Sequence, residues 1–277
     1  MYKKLGVAAF AATLLLGISA AQADATASFV GAPGGWTVDR YAPASFGDVG
    51  NYAGHTDVLG IGINSLQGYG SRGGGFDNTF YNTQGMATPI SGGAGSSISA
   101  DLFVQSSWLS NVGGNIRTDM WGVVDNALNT IVEDYPIIGF TNAGGIGHLQ
   151  VWDDMLGVWD PLSNVLSGDT WYQLGITFTG TTFQYSVDGL LEATVNADPA
   201  AFDFTSMIMQ AYNYNGTDPA LAGTVASDYT AYWSNDQTTA APEAASLAMF
   251  GGGLLVLFGL FTLNRRKTVD GNQAIAA

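Results

Sequence analysis

Apolar and polar positions alternate with a period of two through most of the middle of this chain. The clearest passage is "DTWYQLGITFTGTTFQYSVDGLLEATV". Tyr172, Leu174, Ile176 and Phe178 are separated by polar or small residues, and Phe183, Tyr185 and Val187 repeat the pattern. Successive side chains of a strand point to opposite faces, so this alternation predicts half-buried sheet. Gly180 separates the first two strands. Asp188-Gly189 supplies the positive φ of a tight hairpin turn before Leu191, Ala193 and Val195 resume the alternation. A three-stranded antiparallel meander is predicted here. Similar runs recur at "DVLGIGIN", "SSISADLFV", "PIIGFTN", "HLQVWD", "SMIMQAY" and "DYTAYW", with Gly, Asn and Asp clusters between them. No long helical stripe occurs before residue 245. The pattern predicts an all-β, two-sheet antiparallel sandwich.

The two ends depart from this period. Residues 1–23 place Lys3 and Lys4 ahead of an apolar run too short for a membrane span, and close on Ala21, Gln22 and Ala23. A charged start, a short apolar stretch and an A-x-A close predict a secretory signal peptide cut between Ala23 and Asp24. Near the other end, residues 247–263 are all apolar, glycine or threonine, which is the lower limit of length for a transmembrane helix. Arg265, Arg266 and Lys267 follow at once and assign the tail, 264–277, to the cytoplasmic side. The polar, small-residue stretch 236–246 reads as a linker. The predicted organisation is therefore a signal peptide (1–23), a sandwich domain (24–235), a linker (236–246), one C-terminal membrane helix (247–263) and a basic tail. The domain is exported across the inner membrane.

Charge narrows the partners. The 277 residues hold 8 Lys and Arg against 23 Asp and Glu, a net charge of −15, and no cysteine. Between Asp24 and Ala241 the cations are Arg40, Arg72 and Arg117. A surface this acidic cannot neutralise phosphates, which excludes nucleic acid as a partner. Without cysteine the exported domain has no disulfide framework and is held by its core and sheets.

Two stretches resemble known families. Pro242 and Glu243, the apolar span with Gly251, Gly252 and Gly253, and then Arg265 and Arg266 resemble the PEP-CTERM sorting signal. That likeness implies recognition by an exosortase-type enzyme, with removal of the tail and delivery to the outer envelope or matrix. Ala244 stands where the family has its second proline, and ten residues, 268–277, follow the basic cluster. The strands "W..L.I.F" (171–178), "F.YSVDG" (183–189) and "TAYWSN" (230–235) resemble the laminin G-like form of the concanavalin A-like jelly roll. That scaffold serves lectins, glycosidases, lyases and adhesive modules alike.

Retaining glucanases of this scaffold carry E-x-D-x-x-E on one strand, so that acid and nucleophile share a face. Here Glu133 and Glu192 precede the tail, and neither has an aspartate two residues on. His55 and His148 lie far apart with no HExxH spacing. "GYGSRG" (68–73) fits GxGxxG but runs into glycine-rich "GGFDNTFYN" rather than a helix, and is read as a loop. No enzyme is expected. The segment "HLQVWDDMLGVWDP" gathers Trp152, Asp153, Asp154, Trp159 and Asp160, residue types that stack a sugar ring and offer hard oxygens to calcium. The alternative is a β-hairpin turning at Asp153 to Gly157, its tryptophans packed. Two functions stay open: a lectin-like module binding extracellular glycan, with calcium as the one cofactor its residues suggest, or a structural surface protein without a small-molecule site. A glycan-active enzyme ranks third.

Overall fold

The computed structural model describes residues 27–64, 83–110, 114–212 and 228–235. They form fifteen strands: β1 (Thr37–Val38), β2 (Ser45–Asp48), β3 (Leu59–Asn64), β4 (Thr83–Gly92), β5 (Ser97–Val104), β6 (Arg117–Asp125), β7 (Val132–Asp134), β8 (Ile137–Thr141), β9 (His148–Asp153), β10 (Val158–Pro161), β11 (Thr170–Phe178), β12 (Thr182–Val187), β13 (Leu190–Asn196), β14 (Asp203–Tyr212) and β15 (Asp228–Ser234). Helix among the described residues is one 3-10 turn at Ser106–Trp108. All these residues belong to a unit spanning Met1–Asp236, and a second unit, Gln237–Ala277, holds none of them.

The strands build two sheets, and every pairing is antiparallel. The front sheet runs β1-β4-β14-β6-β8-β9-β10, with β7 also on β6. The back sheet runs β13-β12-β11-β5-β15-β3-β2. The predicted meander is β11-β12-β13, and its Asp188-Gly189 turn has φ of 50° and 78°. Each of the other six runs read from the alternation falls on a strand of this sandwich.

Period-two alternation decides what lies between the sheets. Leu174, Ile176 and Phe178 of β11, Phe183 and Tyr185 of β12, and Ala231 and Trp233 of β15 point inward from the back sheet. They meet Met120, Val124, Ile138, Phe140, Leu149, Val151 and Met209 of the front sheet. Burial of such apolar surface, at roughly 25 cal/mol per Å², is the main term holding the layers together. Polar bonds fix their alignment. Trp233 Nε1 of the back sheet donates to Thr118 Oγ1 of the front sheet at 2.9 Å, and that hydroxyl donates on to Gln210 O at 2.9 Å. Tyr185 OH likewise donates to Trp152 O at 3.3 Å.

One expectation in the meander needs correction. Leu191 does not continue the buried alternation but is 60% exposed. Tyr185 pairs with Ala193 and its neighbour Ser186 with Leu191, so β13 carries one extra residue at that point. Such a bulge reverses the faces of everything beyond it. Among the described residues no helix is long and apolar enough to cross a membrane. The expected signal peptide with Ala21, Ala23 and Asp24, the loop at 68–73, the PEP-like motif at Pro242 and Glu243, the span 247–263 and the cluster Arg265, Arg266 and Lys267 lie outside the described residues.

Candidate functional site

The face of the front sheet turned away from the core carries an unusual set of side chains. Along β6 the odd positions Arg117, Asp119, Trp121 and Val123 point outward, while Thr118, Met120 and Val124 point to the other layer. Register then assembles rows across the strands. One row reads Gly85, Gln210, Asp119, Gly139 and Gln150, each the direct cross-strand partner of the next. A second row reads Ala87, Ile208, Trp121, Ile137, Trp152 and Trp159. The first row is polar and the second apolar and aromatic.

The glycines of the polar row are there for space. A Cβ at Gly139 would overlap Asp119 Oδ1 and the Thr118 carbonyl, and a Cβ at Gly85 would overlap Gln210 and the Met209 carbonyl. Strand glycines commonly mark such close approaches. Asp119 and Gln210 lie between them, both wholly buried.

Two arginines complete the row. Arg117 Nε donates to Asp119 Oδ2 at 2.7 Å, an i, i+2 pair that a strand places on one face. Arg40, from the segment between β1 and β2, reaches over β4 so that one guanidinium nitrogen donates to Gln210 Oε1 at 3.0 Å. The same nitrogen lies 2.8 Å from Asp39 Oδ2. Thr83 Oγ1 also donates to Gln210 Oε1. Gln210 Nε2 is buried with no hydrogen-bond partner among the described residues, an open donor in mid-row. The guanidinium groups also lie over rings: Arg40 is 4.7 Å from the centre of Trp121, and Arg117 is 5.0 Å from Trp159 and 5.6 Å from Tyr212. Burial pushes the Asp119 carboxyl above its usual range, against the charge and hydrogen bond of Arg117, the hydrogen bond of Trp121 and the charge of Arg40. A carboxyl set in this way is a recurrent feature of functional sites.

The residues singled out from sequence form one end of this face. Trp152 and Trp159 are cross-strand partners with ring centres 5.2 Å apart at 56°. Both are half-buried and pack against Trp121 and Ile137. Their hairpin turns between Asp153 and Gly157, where Gly157 N donates to Asp153 O at 2.8 Å. Asp153 and Asp154 serve the hairpin itself. Asp153 Oδ1 accepts from Leu156 N at 2.9 Å, while Asp154 Oδ1 accepts from Trp152 Nε1 at 2.8 Å and Oδ2 from Tyr135 N at 3.2 Å. Asp160 is exposed and, opposite Val151 in register, turns to the other face from Trp159. Among the described residues no three His, Asp or Glu side chains gather as a metal site. His148 opens β9, and His55 stacks on Trp171 at 4.2 Å on the outward face of the back sheet. Arg40, Arg117, Asp119, Trp121 and Gln210 carried no motif. The legible signal was R-x-D-x-W along β6, three non-apolar or aromatic residues on one face of a strand.

No family model matches this chain, and no curated protein does. Solved structures do resemble it. A Crh5 transglycosylase in complex with NAG is 12% identical with a TM-score of 0.45, over 75% of this chain and 80% of its own. A Bacillus licheniformis beta-glucanase is 13% identical with a TM-score of 0.39, over 72% and 87%. The carbohydrate-binding module CBM66 from Bacillus subtilis is 8% identical with a TM-score of 0.36, over 64% and 91%. At these identities the likeness is one of all-β sandwich architecture. The expectation of a non-enzyme is corrected here. Transglycosylases, glucanases and an endo-β-galactosidase stand among the similar structures. Missing E-x-D-x-x-E removes one arrangement of carboxylates, not catalysis as a class.

Proposed function

We propose that this chain is an exported protein of the cell envelope or extracellular matrix that binds glycan on the outward face of its front sheet. The observation supporting this reading is the convergence of Trp121, Trp152, Trp159 and Tyr212 with Gln150, Gln210 and two arginines on one side of one sheet. Aromatic faces take the apolar side of a sugar ring while amides exchange hydrogen bonds with its hydroxyls. The hairpin residues Trp152, Asp153, Asp154 and Trp159 form the accessible rim in this proposal, Asp160 lies on the hairpin's other face, and calcium is an arm of its test. Address completes the reading: cleavage before Asp24, then PEP-CTERM-type sorting through Pro242, Glu243 and Arg265, Arg266 and Lys267 by an exosortase-type partner. A soluble-glycan array with and without calcium, using wild type and Trp159→Ala, tests it. Binding that weakens about tenfold in the variant is expected, since one stacking contact is worth roughly 1.5 kcal/mol. Intact mass of envelope fractions tests the address.

A second reading is favoured by the complete burial of Asp119 and Gln210. It is a structural surface protein whose polar row fixes strand register and takes no small molecule. An array without a hit from the natively folded chain selects it.

A further inference from the structure

We infer that the front-sheet face takes uncharged glycan, and that its two arginine–aspartate pairs are the device that excludes acidic polysaccharide. The inference rests on the glycan-binding reading above and adds its ligand class.

The argument begins with the scarcity of positive charge. Of the three cations between Asp24 and Ala241, Arg40 and Arg117 are the two among the described residues, and both stand on this face. Each is matched by its own carboxylate, Arg40 by Asp39 at 2.8 Å and Arg117 by Asp119 at 2.7 Å. Their planar faces are spent on Trp121, Trp159 and Tyr212. An arginine that captures a sugar carboxylate needs an open fork. Here the guanidinium groups are neutralised and shape the aromatic floor instead.

The surroundings carry the opposite sign. Asp153 and Asp154 stand at the Trp152–Trp159 rim, and the chain as a whole carries −15. A polyuronate would bring a carboxylate per residue into this field, where like charges repel. A neutral sugar meets no such repulsion. Its hydroxyls both donate and accept, as do the amides of Gln150 and Gln210; the Gln210 Nε2 is buried and without a hydrogen-bond partner among the described residues. Stacking on tryptophan is indifferent to charge and so to salt.

The experiment uses the full-length chain in detergent micelles. Uncharged probes (laminarin, galactan, mannan) and polyuronates (alginate, polygalacturonate) are measured at low and high salt, each with EDTA and with calcium. An uncharged glycan should bind with an affinity that salt and calcium leave unchanged, while polyuronates bind at least about a hundredfold more weakly. Asp39→Asn, which uncovers the charge of Arg40 at a partly exposed position, should strengthen polyuronate binding about tenfold at low salt. Near-UV circular dichroism checks that this variant is folded. Polyuronate binding by the wild type that equals the uncharged probes, or that appears with calcium, overturns the inference and leaves the glycan-binding reading standing. A folded Asp39→Asn with no gain overturns the role of the pairs. Silence of every probe defeats both the inference and the reading beneath it.

Discussion

Asp134 offers a sharp test of how this sandwich handles its buried acids. It ends β7 with a side chain 1% exposed, and its Oδ2 accepts the Asp198 N–H at 2.7 Å. Burial drives its carboxyl up to about 7 from 3.8; the Asp198 N–H bond opposes this, while the charges of Asp154, Asp198 and Glu133 add to it. The sign follows from which state holds the proton. Between pH 3.8 and 7 the folded chain keeps a proton that the unfolded chain has released, so folding stability falls as pH rises through that window. The slope reaches at most about 1.4 kcal/mol per pH unit, and the loss across the window is of order 2–4 kcal/mol. Asp134→Asn retains an oxygen for the Asp198 N–H and deletes the titration. The variant should therefore match wild type near pH 4 and exceed it by that amount at pH 8. Urea unfolding followed by tryptophan fluorescence across this range measures the difference. Asp39, Asp119 and Asp203 are also raised by burial and tilt both proteins alike, so the difference curve isolates Asp134. Parallel pH profiles, or a wild type that gains stability from pH 4 to 7, would refute the reasoning.

Two further predictions concern backbone geometry. Gly139→Ala forces a methyl onto the Thr118 carbonyl and Asp119 Oδ1, and should cost about 2–3 kcal/mol, seen as a fall in Tm of about 5–10 °C; an unchanged Tm would mean that β6 and β8 part without cost. Ala53 and Gly54 hold φ of 46° and 91° in a two-residue turn closed by Tyr52 and His55, a conformation that favours Asn over Ala, so Ala53→Asn should stabilise by about 0.5–1 kcal/mol in the same assay.

The two sheets were not equally legible in the sequence. The back sheet announces itself because its inner positions are large and apolar and its outer ones polar. The runs at β3, β5, β11, β12 and β15 could be read directly, and the Asp188-Gly189 turn joined β12 to β13. In the front sheet β4 and β6 gave no such signal. β4 carries Gly85, Pro89 and Gly92, with Pro89 beside the register shift between Phe204 and Ser206 that breaks the ladder. β6 alternates, but between inner Thr118, Met120 and Gly122 and outer Arg117, Asp119 and Trp121, so neither face reads as the apolar one. Charged residues in a strand are taken for a solvated face because isolated burial is prohibitive. Burial is tolerated here because the charges arrive in pairs. Arg117 and Asp119 pair within one strand and were open to inference from spacing. Arg40 meets Gln210 across 170 positions, which no local pattern conveys.

The same economy bears on what the hairpin residues are for. Trp152 and Trp159 were singled out as a sugar platform with aspartates beside them as oxygen ligands. The aspartates' bonds run inward: Asp154 holds the Trp152 indole and the Tyr135 amide, and Asp153 caps the turn at Leu156. Each such bond is worth about 1–2 kcal/mol as a charge-assisted contact. A cation binding at Asp154 would draw on the same two oxygens that hold the Trp152 indole and the Tyr135 amide. Orientation of the tryptophan and capture of a metal therefore compete for one carboxylate, and the hydrogen bonds favour orientation. Under the glycan-binding proposal, recognition then follows ring faces and amides rather than a bridging ion, which is why the calcium arm of the binding experiment discriminates as strongly as the choice of sugar.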